Sequence, residues 1–196
     1  MAVYFYGCIT LDGYMAAKGH GLDWLYDTGS PEETSYDEFY SHMDVTLMGR
    51  RTFQEIEKTG DPASVYPTTE NYVFTHRELS CPGFTAVSGD PAEFVKKLGQ
   101  DRNIWVVGGN TILAPLLDQD MVDCLIVQVA PVLLGEGICL GRRKPCAGSG
   151  WKPSGSTGSL RSWCMAGDNR GRSSPTVFFA LHSREGHAIL TAERLA

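Results

Sequence analysis

Three short stretches carry residue types that could hold an anion: Gly49-Arg50-Arg51-Thr52, Thr75-His76 and Gly108-Gly109-Asn110-Thr111. Each follows an apolar run that reads as a buried strand, and the first and third lead into a helical pattern. Glycine has no Cβ, so a phosphate can come close to the main chain there. The free N–H groups and positive dipole end of a helix start then favour negative charge. Arg50 and Arg51 fall in a first helical turn, where cations are ordinarily avoided. They either meet an external anion or pair with surface carboxylates. A glycine pair after a strand also suits a plain tight turn, so the rest of the chain must arbitrate.

The elements that would position these residues follow one another in a simple order. Val3 to Ile9 is rich in β-formers and reads as a first strand. A turn at Asp12-Gly13 and a short extended piece follow, then a loop over 17–30 with one apolar knot, Leu22 to Leu25. Ser30-Pro31-Glu32-Glu33 starts a helix that runs to about His42, with Ser as cap and Pro in the first position. Asp44 to Met48, Tyr72 to Thr75, Phe84 to Val87 and Ile104 to Val107 read as strands. Helices are expected from Gly49 to Ile56, from Asp90 to about Leu98, and after Gly109. In the last of these Ile112, Leu113, Leu116 and Leu117 share a face, and Pro115, tolerable in a first turn, would kink a helix begun at Thr111. Val122 to Leu134 is a long apolar run broken by Pro131 and closed by Gly135-Glu136-Gly137. This alternation implies an α/β fold with a largely parallel sheet. The three anion-friendly stretches all lie at strand carboxyl ends, where such sheets bind ligands.

Composition sets the outer bounds. The chain has 196 residues, 42% hydrophobic and 20% charged, which suits one globular domain or one domain with an appendage. A net charge of -6 gives no general attraction to nucleic acid or anionic membrane. No apolar run approaches the roughly 20 residues of a membrane span, and Met1-Ala-Val-Tyr-Phe-Tyr reads as a strand, not a leader. Six cysteines are scattered without C-x-x-C spacing, so a reducing, cytoplasmic setting is expected, with no metal. Cys8 and Cys124 read as small buried hydrophobes.

Four segments together resemble a known family: Thr10-Leu-Asp-Gly-Tyr-Met-Ala16, Val45-Thr-Leu-Met-Gly-Arg-Arg-Thr-Phe53, Ile104-Trp-Val-Val-Gly-Gly109 and Pro131-Val-Leu-Leu-Gly-Glu-Gly137. In this order they are similar to the dihydrofolate reductase superfamily. The nearest branch is the reductase domain of bacterial riboflavin biosynthesis (RibD C-terminal-like) and its stand-alone relatives. The resemblance covers about residues 1–140 and implies a three-layer sandwich around a mostly parallel sheet. It implies NADPH as cofactor, with Gly49, Arg50, Arg51 and Thr52 gripping its 2′-phosphate and pyrophosphate and Thr75 and His76 on the adenosine side. Gly108 and Gly109, joined by a cis peptide, would stand beside the pyrophosphate, with Asn110 and Thr111 opening the next helix. The reaction implied is hydride transfer to a small heterocycle, as in 5-amino-6-(5-phosphoribosylamino)uracil reductase. A dihydrofolate or pterin reductase and a non-catalytic nucleotide-binding module are the alternatives, and a homodimer is an expected assembly.

The proton donor is not legible. Asp12 belongs to the segment that the resemblance lays over the nicotinamide, and Trp24 either shields hydride transfer or pins that loop. Glu33, Asp37 and Glu38 lie on the helix where dihydrofolate reductases carry their acid, Asp37 being the candidate retained. The ending departs from the family. Residues 1–140 hold 8 Lys+Arg against 20 Asp+Glu, whereas 141–196 hold 9 against 3, with 8 Gly and 8 Ser. The family's two closing strands are therefore expected to be missing or altered, through a reading-frame shift or a flexible extension, and Thr176 to Leu181 is the tail's one strand candidate. Nucleic-acid binding by this basic tail is a weaker reading, without an aromatic-basic pattern.

Overall fold

In the structure, a computed structural model, the described residues are 1–26, 36–99 and 101–141, together with the backbone of Thr176–Leu181 and Ala188–Leu190. Strand β1 (Ala2–Thr10) is followed by the short β2 (Tyr14–Ala17), a four-residue helical turn α1 (Asp23–Tyr26) and α2 (Tyr36–Ser41). Then come β3 (Val45–Gly49), α3 (Arg50–Glu57), β4 (Glu70–Phe74), β5 (Phe84–Val87), α4 (Pro91–Lys97), β6 (Asn103–Gly108), α5 (Asn110–Asp118), β7 (Cys124–Ala130) and β8 (Gly137–Cys139). The tail contributes β9 (Thr176–Leu181) and β10 (Ala188–Leu190).

The main sheet has the order β10-β9-β7-β1-β6-β3-β4-β5. From β7 to β5 every neighbouring pair is parallel, which is the six-stranded core of a dihydrofolate reductase-like fold. Side chains alternate across a strand, so β1 sends Val3 and Phe5 to one face and Tyr4 and Tyr6 to the other. The first face packs on Ala92 and Val95 of α4 and on Ile112, Leu113 and Leu116 of α5. The second packs on Phe39 of α2 and on Phe53 and Ile56 of α3, where Tyr6, Tyr66 and Trp105 form an aromatic cluster. Val45 to Gly49 is buried throughout because helices cover both sides of β3. This is the three-layer α/β architecture expected from the alternation of elements.

One buried side chain ties the centre of the sheet to its edge. Asn71 on β4 accepts hydrogen bonds from the hydroxyls of Thr46 and Thr69, both at 2.7 Å. Its amide nitrogen donates to the carbonyls of Tyr66 and Gly83, both at 3.0 Å. An asparagine has two donors and one oxygen with two lone pairs, so the group is saturated. It fixes β3 against β4 and against the turn that enters β5.

Several details differ from the sequence reading. Helix α5 continues through Pro115 to Asp118. Gly137–Cys139 pairs antiparallel with β2 in a separate two-stranded sheet, a strand too short to leave a periodicity. The long apolar run narrows to Cys124–Ala130, since Pro131 removes a ladder donor. Thr176–Leu181 forms the expected strand, parallel to β7, and Ala188–Leu190 adds an outer one, antiparallel to it, that the sequence did not single out. The helix start at Ser30, Glu33 and the other readings of the 142–196 tail lie outside the described residues.

Candidate functional site

The three anion-friendly stretches converge at the carboxyl ends of β3, β4 and β6. Helix α4 shows how this fold caps a helix with a side chain. Asp90 accepts from the backbone N–H groups of Ala92 at 2.8 Å and Glu93 at 3.0 Å, and Pro91 fills the first turn. Neither α3 nor α5 has such a device. Their caps are Gly49 and Gly109, no side chain bonds to either cap, and no acidic residue stands in either first turn. The two uncapped starts also lie against each other. A Cβ placed on Gly49 would be 3.6 Å from Thr111 Oγ1 and 3.9 Å from the Gly109 nitrogen. One placed on Gly108 would be 3.5 Å from Thr52 Oγ1. Two positive dipole ends, two hydroxyls and bare main chain therefore face one small volume. The Gly108–Gly109 peptide is cis, as the resemblance implied.

A cleft of about 210 Å³ opens beside this volume, lined by Thr75, His76, Ser88, Gly89, Thr111 and Ile112 among others. Thr75 and His76 are thus brought next to the α5 start. The Thr75 hydroxyl accepts from the Arg77 nitrogen at 3.0 Å, which holds the bend after β4. Ser88 and Gly89, at the end of β5, were not selected from sequence, although their strand-end position was the available signal.

The two arginines divide. Arg50 Nη2 lies 3.3 Å from Glu57 Oε2, and its guanidinium rests 5.2 Å from the centre of the Phe53 ring. This is the carboxylate-paired alternative. Even so, its Nε and Nη1 are buried without a hydrogen-bond partner. Arg51 is exposed and contacts the ring of His20 on the loop after β2. It lines a second cleft of about 400 Å³ between that loop and the outward side of α3. His20 was missed in the sequence; the Gly-His-Gly tripeptide was the only mark it left.

The catalytic candidates are not gathered. The Asp12 carboxylate accepts from the Thr10 hydroxyl and from the backbone nitrogens of Leu134 at 3.0 Å and Gly135 at 2.7 Å. Partial burial opposes the charge, but these hydrogen bonds outweigh it and hold the carboxyl below its usual range. Asp12 is thus a clamp between the β1–β2 turn and the loop after β7. Trp24 is buried and lines neither of these clefts, and its indole N–H is buried without a hydrogen-bond partner. Asp37 and Glu38 are exposed on α2, away from the aromatic cluster beneath. Asn110 uses its side-chain oxygen to accept from the Gly141 nitrogen at 3.0 Å. Cys8 and Cys124 are half-buried, free thiols, and burial pushes the Cys8 thiol up to about 11. Among the described residues no cluster suits a metal ion, and no helix is long and apolar enough to cross a membrane.

Comparison with known proteins bears on the family and the fold. The chain is 31% identical over 139 residues to the uncharacterised protein YwjB of Bacillus subtilis (strain 168), covering 69% of this chain and 79% of that one. It is 27% identical over 142 residues to YyaP of the same organism, covering 66% and 74%. A crystallised protein of Shewanella sp. PV-4, provisionally assigned to riboflavin biosynthesis, superposes with a TM-score of 0.61 at 24% identity, over 73% of this chain and 84% of that one. That likeness speaks for the fold. The profile of the RibD C-terminal domain matches residues 3–142, from the first strand to just past the clamp on Asn110. With the six parallel strands and the paired glycine-capped helix starts, this makes the chain a member of the RibD C-terminal domain family.

Proposed function

We propose that the chain binds NADPH along the carboxyl ends of β3, β4, β5 and β6 and reduces a small nitrogen heterocycle. The observation that carries this reading is the meeting of two uncapped helix starts, at Gly49 and Gly109, over bare main chain. The residues fit such a group. A Cβ at Gly49 would fill the gap where a pyrophosphate has to approach, and the hydroxyls of Thr52 and Thr111 border the same gap. The cleft at Thr75, His76 and Ser88 lies beside it, on the adenosine side. Arg51 supplies an exposed cation in the first turn of α3. Arg50 supplies two donors without partners, which a shift from Glu57 to a 2′-phosphate would satisfy.

When bound, a reduced nicotinamide supplies a hydride for an electrophilic C=N or C=O carbon. The chain's own part is to hold the phosphates and orient the ring. A module that binds nucleotide without turnover is the second reading. It is favoured by the placement of the acids: Asp12 is committed to its clamp, and Asp37 and Glu38 face solvent.

The two readings separate on one assay. The protein is mixed with NADPH and with pterin and aminopyrimidine acceptors, and loss of the reduced nicotinamide absorbance is followed. Acceptor-dependent oxidation is the expected result. Saturable NADPH binding with no oxidation for any acceptor selects the module, and absence of binding overturns both.

A further inference from the structure

We propose that His20 and Arg51 form a pH-sensitive latch that holds the loop Ala17–Tyr26 down on α3. The loop turns tightly at its tip: the Ala17 nitrogen donates to the Gly21 carbonyl at 3.0 Å and the His20 nitrogen to the Ala17 carbonyl at 2.9 Å. The turn needs two successive left-handed residues, Gly19 at φ +88 and His20 at φ +73. Glycine takes that conformation freely, and histidine is among the few other residues that adopt it readily. Here His20 Nε2 reaches across the 400 Å³ cleft to Arg51 Nη1 on the first turn of α3.

The protonation chemistry of the two groups decides how the latch behaves. A guanidinium is always a donor. His20 can meet it only as a neutral ring, with its proton on Nδ1 and the Nε2 lone pair free. Protonation turns the contact into one between two cations. Partial burial, and then the Arg51 charge, hold the His20 pKa below its usual value. The other charged groups around the cleft leave this pair in place. Glu55 is taken by Lys58 at 2.6 Å, Lys18 by Glu136 at 3.1 Å, and Asp23 and Tyr26 on α1 are exposed. Because the docked state disfavours the proton, docking is complete above about pH 6.5, the ordinary histidine value. It is lost as pH falls from there through the lowered docked value. Opening parts the Arg51 guanidinium from the imidazole and uncovers the cleft beneath Leu22. The latch rests on its own contacts and stands whether or not the chain binds NADPH.

Amide hydrogen exchange of peptides covering Ala17–Tyr26, corrected for intrinsic rates, tests this in the full-length protein without cofactor. Protection of that segment is expected to fall roughly threefold or more between about pH 7.5 and about pH 5.5, while β1 and β6 keep theirs. His20→Asn keeps a residue type that tolerates left-handed backbone but does not titrate, so its loop protection should not change with pH. Arg51→Gln should leave the loop poorly protected at both values. Unchanged wild-type protection, or the same fall in His20→Asn, would overturn the latch. If thermal melting shows that His20→Asn does not fold, Arg51→Gln decides alone: low protection independent of pH supports the proposal, and a wild-type pH response overturns it.

Discussion

Gly49→Ala is expected to fold nearly as well as the wild type and to bind NADPH at least about tenfold more weakly, a loss of about 1.4 kcal/mol or more. The two effects separate because of what the added methyl meets. Gly49 sits at φ -81 and ψ 162, a backbone any residue adopts. The new carbon would lie 3.6 Å from Thr111 Oγ1 and 3.8 Å from Ile112 Cγ1, ordinary contact distances. Exchanging glycine for alanine at a helix cap costs about 1 kcal/mol or less. The methyl would nevertheless occupy the gap between the α3 and α5 starts, where a pyrophosphate would approach both sets of N–H groups. Fluorescence titration alongside thermal melting checks both halves. Wild-type affinity in a folded Gly49→Ala protein would mean that the phosphates do not lie there.

The largest loss of stability is expected at a residue remote from any ligand. Asn71→Ala removes four hydrogen bonds and leaves the Thr46 hydroxyl and the carbonyls of Tyr66 and Gly83 to find other partners. Thr46 and Asn71 are both buried, at 0% and 5% exposure, so water does not readily replace the lost bonds. Each buried group left unsatisfied costs about 1–3 kcal/mol. A total of about 3–4 kcal/mol is expected, a large part of the roughly 5–15 kcal/mol that holds a typical domain together. Urea unfolding of the wild type and the variant measures it. A change of under about 1 kcal/mol would show that the strands are held by packing alone. The functional link is direct: the strands that Asn71 joins end in Gly49 and Thr75.

The sheet was legible because central parallel strands are buried on both faces, so Ile104–Val107 stands out as an unbroken apolar run and Val45–Met48 as one interrupted only by Thr46. The glycines at 49, 108 and 109 were legible because they interrupt those runs at helix starts. The use to which side chains are put was much less visible. Asp12 looked like a loop carboxylate with catalytic potential, but its partners at Leu134 and Gly135 lie more than a hundred residues away. Asn110 likewise turns to Gly141. Arg50 shares its helix with Glu57 two turns on, a spacing that sequence could have offered as a partner. The His20–Arg51 contact joins a loop to a helix across the chain, and no local pattern announces it. Asn71 was invisible for the same reason, since a polar residue next to Glu70 at the start of a strand reads as outward-facing until its neighbours are known.

NADPH and NADH titrated against the same wild-type protein test the account most directly. The arginines at the start of α3 favour the cofactor with the extra 2′-phosphate. Saturable binding of NADPH, at least about tenfold tighter than NADH, is the predicted result. Equal affinity for the two would remove the role given to Arg50 and Arg51, and failure of either to bind would contradict the dinucleotide site at Gly49 and Gly109.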